Sequence, residues 1–210
     1  MARVTEQVKE STRTRLLEAA AGEFARVGID QANINEISMS AGLAKGTVYN
    51  YFGSKQELFL AVVEEACVRA AEGATSVAAD ASTAERLRAV LASDVEWVRR
   101  DEHFARVLVR EALSADPRFY SEILAAAAPF VGRVAEVLAD GVARGEVRSD
   151  IPVQQLALVF TGLGELMLIQ HWGSGGAWPA LEEIPELVTR VFLEGAGQHS
   201  SPDGMGGRRR

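Results

Sequence analysis

The sequence predicts an all-α fold, in which a three-helix N-terminal module containing a helix-turn-helix precedes a larger helical domain. Three observations carry this reading. Apolar residues recur at three- and four-residue spacing along most of the chain, and few segments alternate as strands do. The 48% of hydrophobic residues are rich in Ala, Leu and Val, while aromatic residues make up only 7%. Glycines and capping-box pairs punctuate the periodic runs at helix-length intervals.

Taken in order, Leu17, Ala20, Ala21, Phe24 and Val27 share one face, so a first helix runs from about Ser11 to Val27, and Gly28 supplies a left-handed stop. Asn33, with Glu36 three residues on, reads as the cap of a short second helix that turns Ile34, Ile37 and Ala41 inward and ends at Gly42. A third short helix, Lys45 to Phe52, puts Val48 and Phe52 on one face. Ser54 and Glu57 form a capping box for a fourth helix reaching about Ala71, and Ser82 with Glu85 repeats the signal for a fifth through Val98. A module boundary falls near Gly73. Beyond Phe104 to Leu113, Asp116 and Pro117 read as the cap and first position of a long helix to about Ala143, which Pro129 should kink or split and Gly145 stops. Pro152 opens a helix through "QQLALVFTGLGELMLIQHW", and "LEEIPELVTRVFLEGAG" makes the last. The expected division is 1–72, 73–197 and a disordered, arginine-ended tail at 198–210.

The helix Lys45 to Phe52 is too short to stay helical in water by itself, so its neighbours must hold it and its polar side chains must serve a partner. Thr47 and Asn50 point away from the apolar pair, Gly46 lets a partner backbone come close, and Tyr49 and Tyr51 flank the pair. Hydroxyl, amide and ring edges of this kind suit base edges, thymine methyls and phosphates in a DNA major groove. Lys55 stands in the first turn of the next helix, where a cation is unfavourable unless an anion such as a phosphate faces both. The plain structural alternative is a surface turn whose tyrosines cover core. The formal net charge of -7 argues against a uniform nucleic-acid surface. Arg3, Lys9, Arg13, Arg15, Lys45 and Lys55 nevertheless keep the N-terminal module near charge balance, and the acidic excess lies elsewhere.

The run "INEISMSAGLAKGTVYNYFGSKQELF", Ile34 to Phe59, together with the helix before it, resembles the DNA-binding domain of the TetR (tetracycline repressor) family of bacterial transcriptional regulators. The resemblance implies a homeodomain-like helix-turn-helix in which Lys45, Gly46, Thr47, Tyr49, Asn50 and Tyr51 face an operator. It also implies that Lys55 holds a phosphate and that Asn33 and Asn35 approach the DNA backbone. Two positions depart from the family pattern: Ala44 stands where Ser or Thr often caps the recognition helix, and Asn33 where Thr is usual. The remainder of such a protein is an all-helical ligand-binding and dimerisation domain. The implied function is a ligand-responsive repressor that binds a palindromic operator as a homodimer and is released by a small-molecule effector.

In the C-terminal part, Leu156, Val159, Leu163 and Met167 form one stripe, and Leu181, Ile184, Val188, Val191 and Gly195 another. Either stripe suits the chain's own core. Both helices are apolar on more than one face, however, which suggests a four-helix dimer interface. Pocket candidates are Trp97, His103, Phe104, Phe119, Tyr120, Phe130, Phe160, Glu165 and His171. Glu165, inside "FTGLGELMLIQ", is costly to bury unpaired, so it pairs across a dimer, reaches water, or meets a polar or cationic ligand. The single cysteine, Cys67, excludes an internal disulfide, and no His or Cys spacing suits zinc. "GLGELM" lacks the third glycine of a dinucleotide fingerprint, and no P-loop or nucleophile elbow is present, so neither cofactor nor catalysis is expected. No signal peptide or membrane-length apolar run is apparent, which makes the cytoplasm the expected location. The alternative reading is an all-α ligand-binding or adaptor protein that no longer reads DNA.

Overall fold

Helix α1, Glu6–Gln31, is the spine of the N-terminal module in the computed structural model, which describes residues 6–72, 80–114 and 116–194. It begins earlier than its apolar stripe because residues 6–11 form a fully exposed turn, invisible to hydrophobic periodicity. At Gly28 the backbone turns left-handed (φ 79°, ψ 166°), and one further turn follows. α1 has no basic residue in its last turn; Arg110, from a distant helix, supplies a cation to the turn before the Gly28 break, donating to the carbonyls of Phe24 at 2.8 Å and Ala25 at 3.5 Å.

Helix α2, Ile34–Ser40, is capped by Asn33, whose side-chain oxygen accepts from the Asn35 backbone N–H at 2.9 Å. Arg15 of α1 donates to the Ala41 carbonyl at its far end. The expected third helix is a four-residue 3-10 turn, Thr47–Asn50, entered through Gly46 at φ 79°. The shortening has a local cause: left-handed Gly46 occupies the N-cap, no side chain caps the segment, and the Thr47 hydroxyl donates to the Ala44 carbonyl at 2.7 Å. Helix α3, Lys55–Glu72, then starts with a shifted capping box. Ser54 Oγ accepts from the Glu57 N–H at 3.0 Å, while the Glu57 carboxylate reaches one residue further back to the Gly53 N–H at 2.8 Å.

The remaining helices are α4 (Thr83–Arg100), α5 (Glu102–Ser114), α6 (Tyr120–Ala143), α7 (Val153–Gly173) and α8 (Ile184–Glu194), and no strand occurs among the described residues. The Ser82–Glu85 box caps α4 in both directions. Asp116 does not cap α6: Phe119 at φ −132° breaks the turn before it, and Asp116 instead accepts from the Arg118 N–H at 2.9 Å. Pro129 does not split α6, which runs on to Ala143. Gly145, at φ 74°, ends the connection out of α6, with Glu146 N–H donating to the Gly141 carbonyl at 2.8 Å. By length and composition α7 alone among the described helices is apolar enough to cross a membrane, which the sequence reading did not anticipate. Here it packs against α5, α6 and α8.

The two parts share a core. Leu16, Leu17, Ala20 and Phe24 of α1 close on Ile37, Val48, Leu58, Phe59 and Val62, all essentially inaccessible. The Phe59 ring meets Phe24 edge-on at 5.4 Å and Phe119, before α6, at 4.9 Å. α5 packs along α1 and α3, α6 along α3, and α4 pairs with α8. The expected boundary at Gly73 lies outside the described residues, as do Gly195 and the tail. Among the described glycines Gly141 leaves the least room for a side chain: a β-carbon there would meet Thr83 Oγ1 at 2.5 Å and Val147 Cγ2 at 2.7 Å. Gly141→Ala is therefore expected to destabilise the fold by about 1–3 kcal/mol, read as a lowered midpoint in denaturant unfolding.

Candidate nucleic-acid interface and ligand cavity

Val48 and Phe52 anchor the tip of the N-terminal module in its core, and the intervening and flanking polar residues face outward. Tyr49 is 58% exposed and Asn50, Lys45, Asn33 and Asn35 are exposed; Gly46 and Thr47 are half-buried. Tyr51 is half-buried against the core, so its ring is partly committed to packing. Lys55 differs most from the sequence expectation. Its ammonium donates to the carbonyls of Asp30 at 3.0 Å and Ala32 at 3.3 Å, closing the α1–α2 connection. These carbonyl dipoles offset the cost of a cation at a helix start. Arg118 holds the Asp30 carboxylate from the other side, at 2.7 and 3.0 Å, and its hydrogen bonds keep the Asp30 carboxyl below the usual range.

A cavity of about 840 Å³ lies between α3 and the C-terminal helices. Helical spacing explains which side chains reach it. Leu158, Thr161, Glu165 and Leu168 share one face of α7, and Glu64, Cys67, Val68 and Ala71 share one face of α3. α4 contributes Leu91, Asp94, Val95 and Trp97; α6 contributes Tyr120, Ile123, Phe130 and Arg133. The lining is mostly apolar, with few polar groups. The Trp97 Nε1–H and the Thr161 hydroxyl are buried without a hydrogen-bond partner. Burial pushes the Glu165 carboxyl up to about 7. Asp94 is pushed up to about 8, by burial first, with Arg133 opposing and Glu165 reinforcing. Burial also raises the Cys67 thiol to about 11.

Of the predicted pocket residues, Trp97, Tyr120, Phe130 and Glu165 line this cavity and the others do not. Phe104 is buried beneath the Arg69 guanidinium, 4.2 Å from its ring, and Phe119 is spent on Phe59. Phe160 packs edge-on against Phe192 at 5.1 Å. His103 is exposed beside α1 near Gly22, and His171 Nδ1 sits 2.9 Å from the Pro179 carbonyl. The sequence reading missed Asp94, Arg133 and Thr161. Asp94 follows Leu91 by three residues and Thr161 precedes Glu165 by four, so inward spacing was the available signal.

The predicted dimer stripes divide. Leu156, Ile184 and Val188 are buried within the chain, so they are closed to a partner. α8 spends that face on α4, and Ile184 also lines the cavity. Val159, at 56% exposure, and Val191, at 42%, remain open, with Leu166 beside them; Leu163, Met167 and Leu181 are half-buried. No group of three or more potential metal ligands occurs among the described residues.

Two family models match the chain. That for bacterial regulatory proteins of the tetR family covers residues 16–62, and that for a tetracyclin repressor-like C-terminal domain covers residues 80–196. The HTH-type transcriptional repressor AcnR of Corynebacterium glutamicum is 28% identical over 180 residues, 85% of this chain and 90% of its own. Among solved structures, Bacillus subtilis FadR in complex with stearoyl-CoA matches with a TM-score of 0.74 at 19% identity, covering 88% of this chain and 99% of that one. Thermus thermophilus FadR in complex with lauroyl-CoA matches with a TM-score of 0.62 at 24% identity, covering 92% and 100%. At such identities the structural likeness speaks for the fold.

Burial of the Glu165 carboxyl favours its protonated form in the folded state. The stabilisation is complete below the ordinary glutamate range and is lost as the pH climbs through about 7. Glu165→Gln is therefore expected to raise the melting temperature by a few degrees at about pH 8.5 and to leave it unchanged at about pH 4. Thermal unfolding of both proteins across that range checks this.

Proposed function

Because the chain belongs to the TetR family of bacterial regulatory proteins, and is a ligand-responsive DNA-binding repressor of transcription, we propose how its parts divide the work. Residues 1–72 bind operator DNA and residues 73–197 bind the effector and the second subunit. Lys45, Gly46, Thr47, Tyr49, Asn50 and Tyr51 meet the major groove, with Asn33 and Asn35 near the backbone. Lys55 first holds the α1–α2 connection and secondarily faces phosphate. Two copies joined through the open faces of α7 and α8, around Val159, Leu166 and Val191, present two such heads to a palindrome.

The observation that carries this reading is the double employment of α3. Its first turns, through Leu58 and Phe59, lie in the core that supports the tip, while Cys67, Val68 and Ala71 near its other end wall the cavity. A ligand that moves this wall moves the head with it. An effector favouring the non-binding head spacing by roughly 3 kcal/mol would lower operator affinity about a hundredfold. The complexes of the two FadR regulators with stearoyl-CoA and lauroyl-CoA support a small-molecule effector for a cavity in this fold.

Selection of bound duplexes from a random pool is expected to enrich one palindrome, and enrichment of none by the folded protein would overturn the reading. On the selected operator, Asn50→Ala is expected to cost about 1–3 kcal/mol and to relax preference at one base position. Lys45→Ala is expected to weaken binding to all duplexes alike and to flatten the salt dependence, both measurable by titration at varied ionic strength.

A further inference from the structure

We propose that the cavity takes an amphipathic organic cation, an apolar body carrying one ammonium group, with the charge seated between Asp94 on α4 and Glu165 on α7. The inference rests on the reading of this cavity as the effector site and names the chemistry of what fills it.

Glu165 stands in the middle of the α7 face formed by Leu158, Thr161 and Leu168, and makes no hydrogen bond or ion pair among the described residues. An apolar wall is a costly place for an unpaired carboxylate, and an added cation removes that cost. Asp94 lines the same space from α4, close enough for the Glu165 charge to add to the cost that burial sets on its ionisation. The other titratable groups on the wall do not restore balance. Glu64 of α3 adds a third acid, and the Cys67 thiol is held neutral by burial. Arg133 of α6 is the only cation among the described lining residues; its guanidinium, 5.5 Å from the Phe130 ring centre, favours the ionised form of Asp94, and burial alone sets the shift of Glu165. The lining residues of α5 and α8, among them Leu108 and Ile184, carry no charge.

Two further polar groups of lining residues, the Thr161 hydroxyl and the Trp97 Nε1–H, are buried without partners and closed to the cavity, so the two carboxyls alone receive the charge of the ligand. The polyphosphate of a coenzyme A thioester would bring further negative charge to a wall with three acids and one guanidinium. A cation binds the ionised carboxyls, so binding releases protons. With Glu165 pushed up to about 7 and Asp94 to about 8, affinity rises with pH across that interval.

The test is a calorimetric titration of the full chain with dodecyltrimethylammonium below its micelle-forming concentration, at about pH 6 and about pH 9, with dodecanol and lauroyl-CoA as neutral and anionic comparators. The cation is expected to bind at least roughly tenfold more tightly than dodecanol at the higher pH and to lose that advantage at the lower. Glu165→Gln and Asp94→Asn should each remove the preference for the cation while leaving dodecanol affinity in place. Equal affinity for cation and alcohol, tighter binding of lauroyl-CoA, or variants that keep the preference would overturn the proposal. Duplex binding by the same samples separates the two readings. A chain that holds its selected operator and ignores the cation overturns this inference and leaves the repressor reading standing. A chain that binds the cation with the stated pH dependence and holds no duplex supports the inference and removes the repressor reading.

Discussion

Phe59 is the contact on which both halves of the molecule depend. Its ring lies between Phe24 of α1 and Phe119 of the α5–α6 connection, and its backbone belongs to α3. The outward-facing tip, Thr47–Asn50, has a single turn of 3-10 hydrogen bonding and no capping side chain. Such a segment has no stability of its own, so Val48 and Phe52 borrow it from the core that Phe59 closes. Rigid presentation of Tyr49 and Asn50 is thus a property of packing several residues away in sequence.

Cations reinforce the same junction in a consistent manner. Arg15 and Lys55 donate to backbone carbonyls where α2 and α1 end, Arg110 to those before the Gly28 break, and Arg118 grips Asp30 nearby. Helix ends leave carbonyls unsatisfied, and here long side chains from other elements satisfy them in place of a local glycine cap alone. The charges that look available for phosphate in the sequence are therefore partly engaged inside the protein. Lys45, which makes no such bond among the described residues, is left as the freer cation beside the tip.

What the sequence disclosed follows from the range of the interactions concerned. Caps and stops depend on residues within one turn, so Asn33, Gly42, the Ser82–Glu85 box and Gly145 were readable. Asp116 misled because its cap signal is local while Phe119, drawn to Phe59, sets where α6 begins. The cavity is a long-range object. Aromatic content pointed to Phe104, Phe119 and Phe160, which are packing residues, whereas Asp94 and Arg133 reach the space only through the arrangement of α4 and α6. Apolar stripes failed in the same way: α7 is apolar nearly all round, so spacing alone put Leu156 and Val159 in one stripe, of which the fold buries the first and leaves the second open. Glu165 was readable because one carboxylate in an apolar run is anomalous at any range.

The seam through Phe59 also limits how this protein can be cut and rejoined. A chimera that exchanged the N-terminal segment at the end of α3 would leave behind Phe119, Arg110 and Arg118, which serve α3, α1 and the α1–α2 connection from the other half. The transplanted head would arrive with an uncovered phenylalanine and unanswered helix carbonyls. A workable graft therefore carries the matching face of α5 and the turn before α6 with it, so that the unit of exchange is a surface assembled from both halves and not a stretch of sequence.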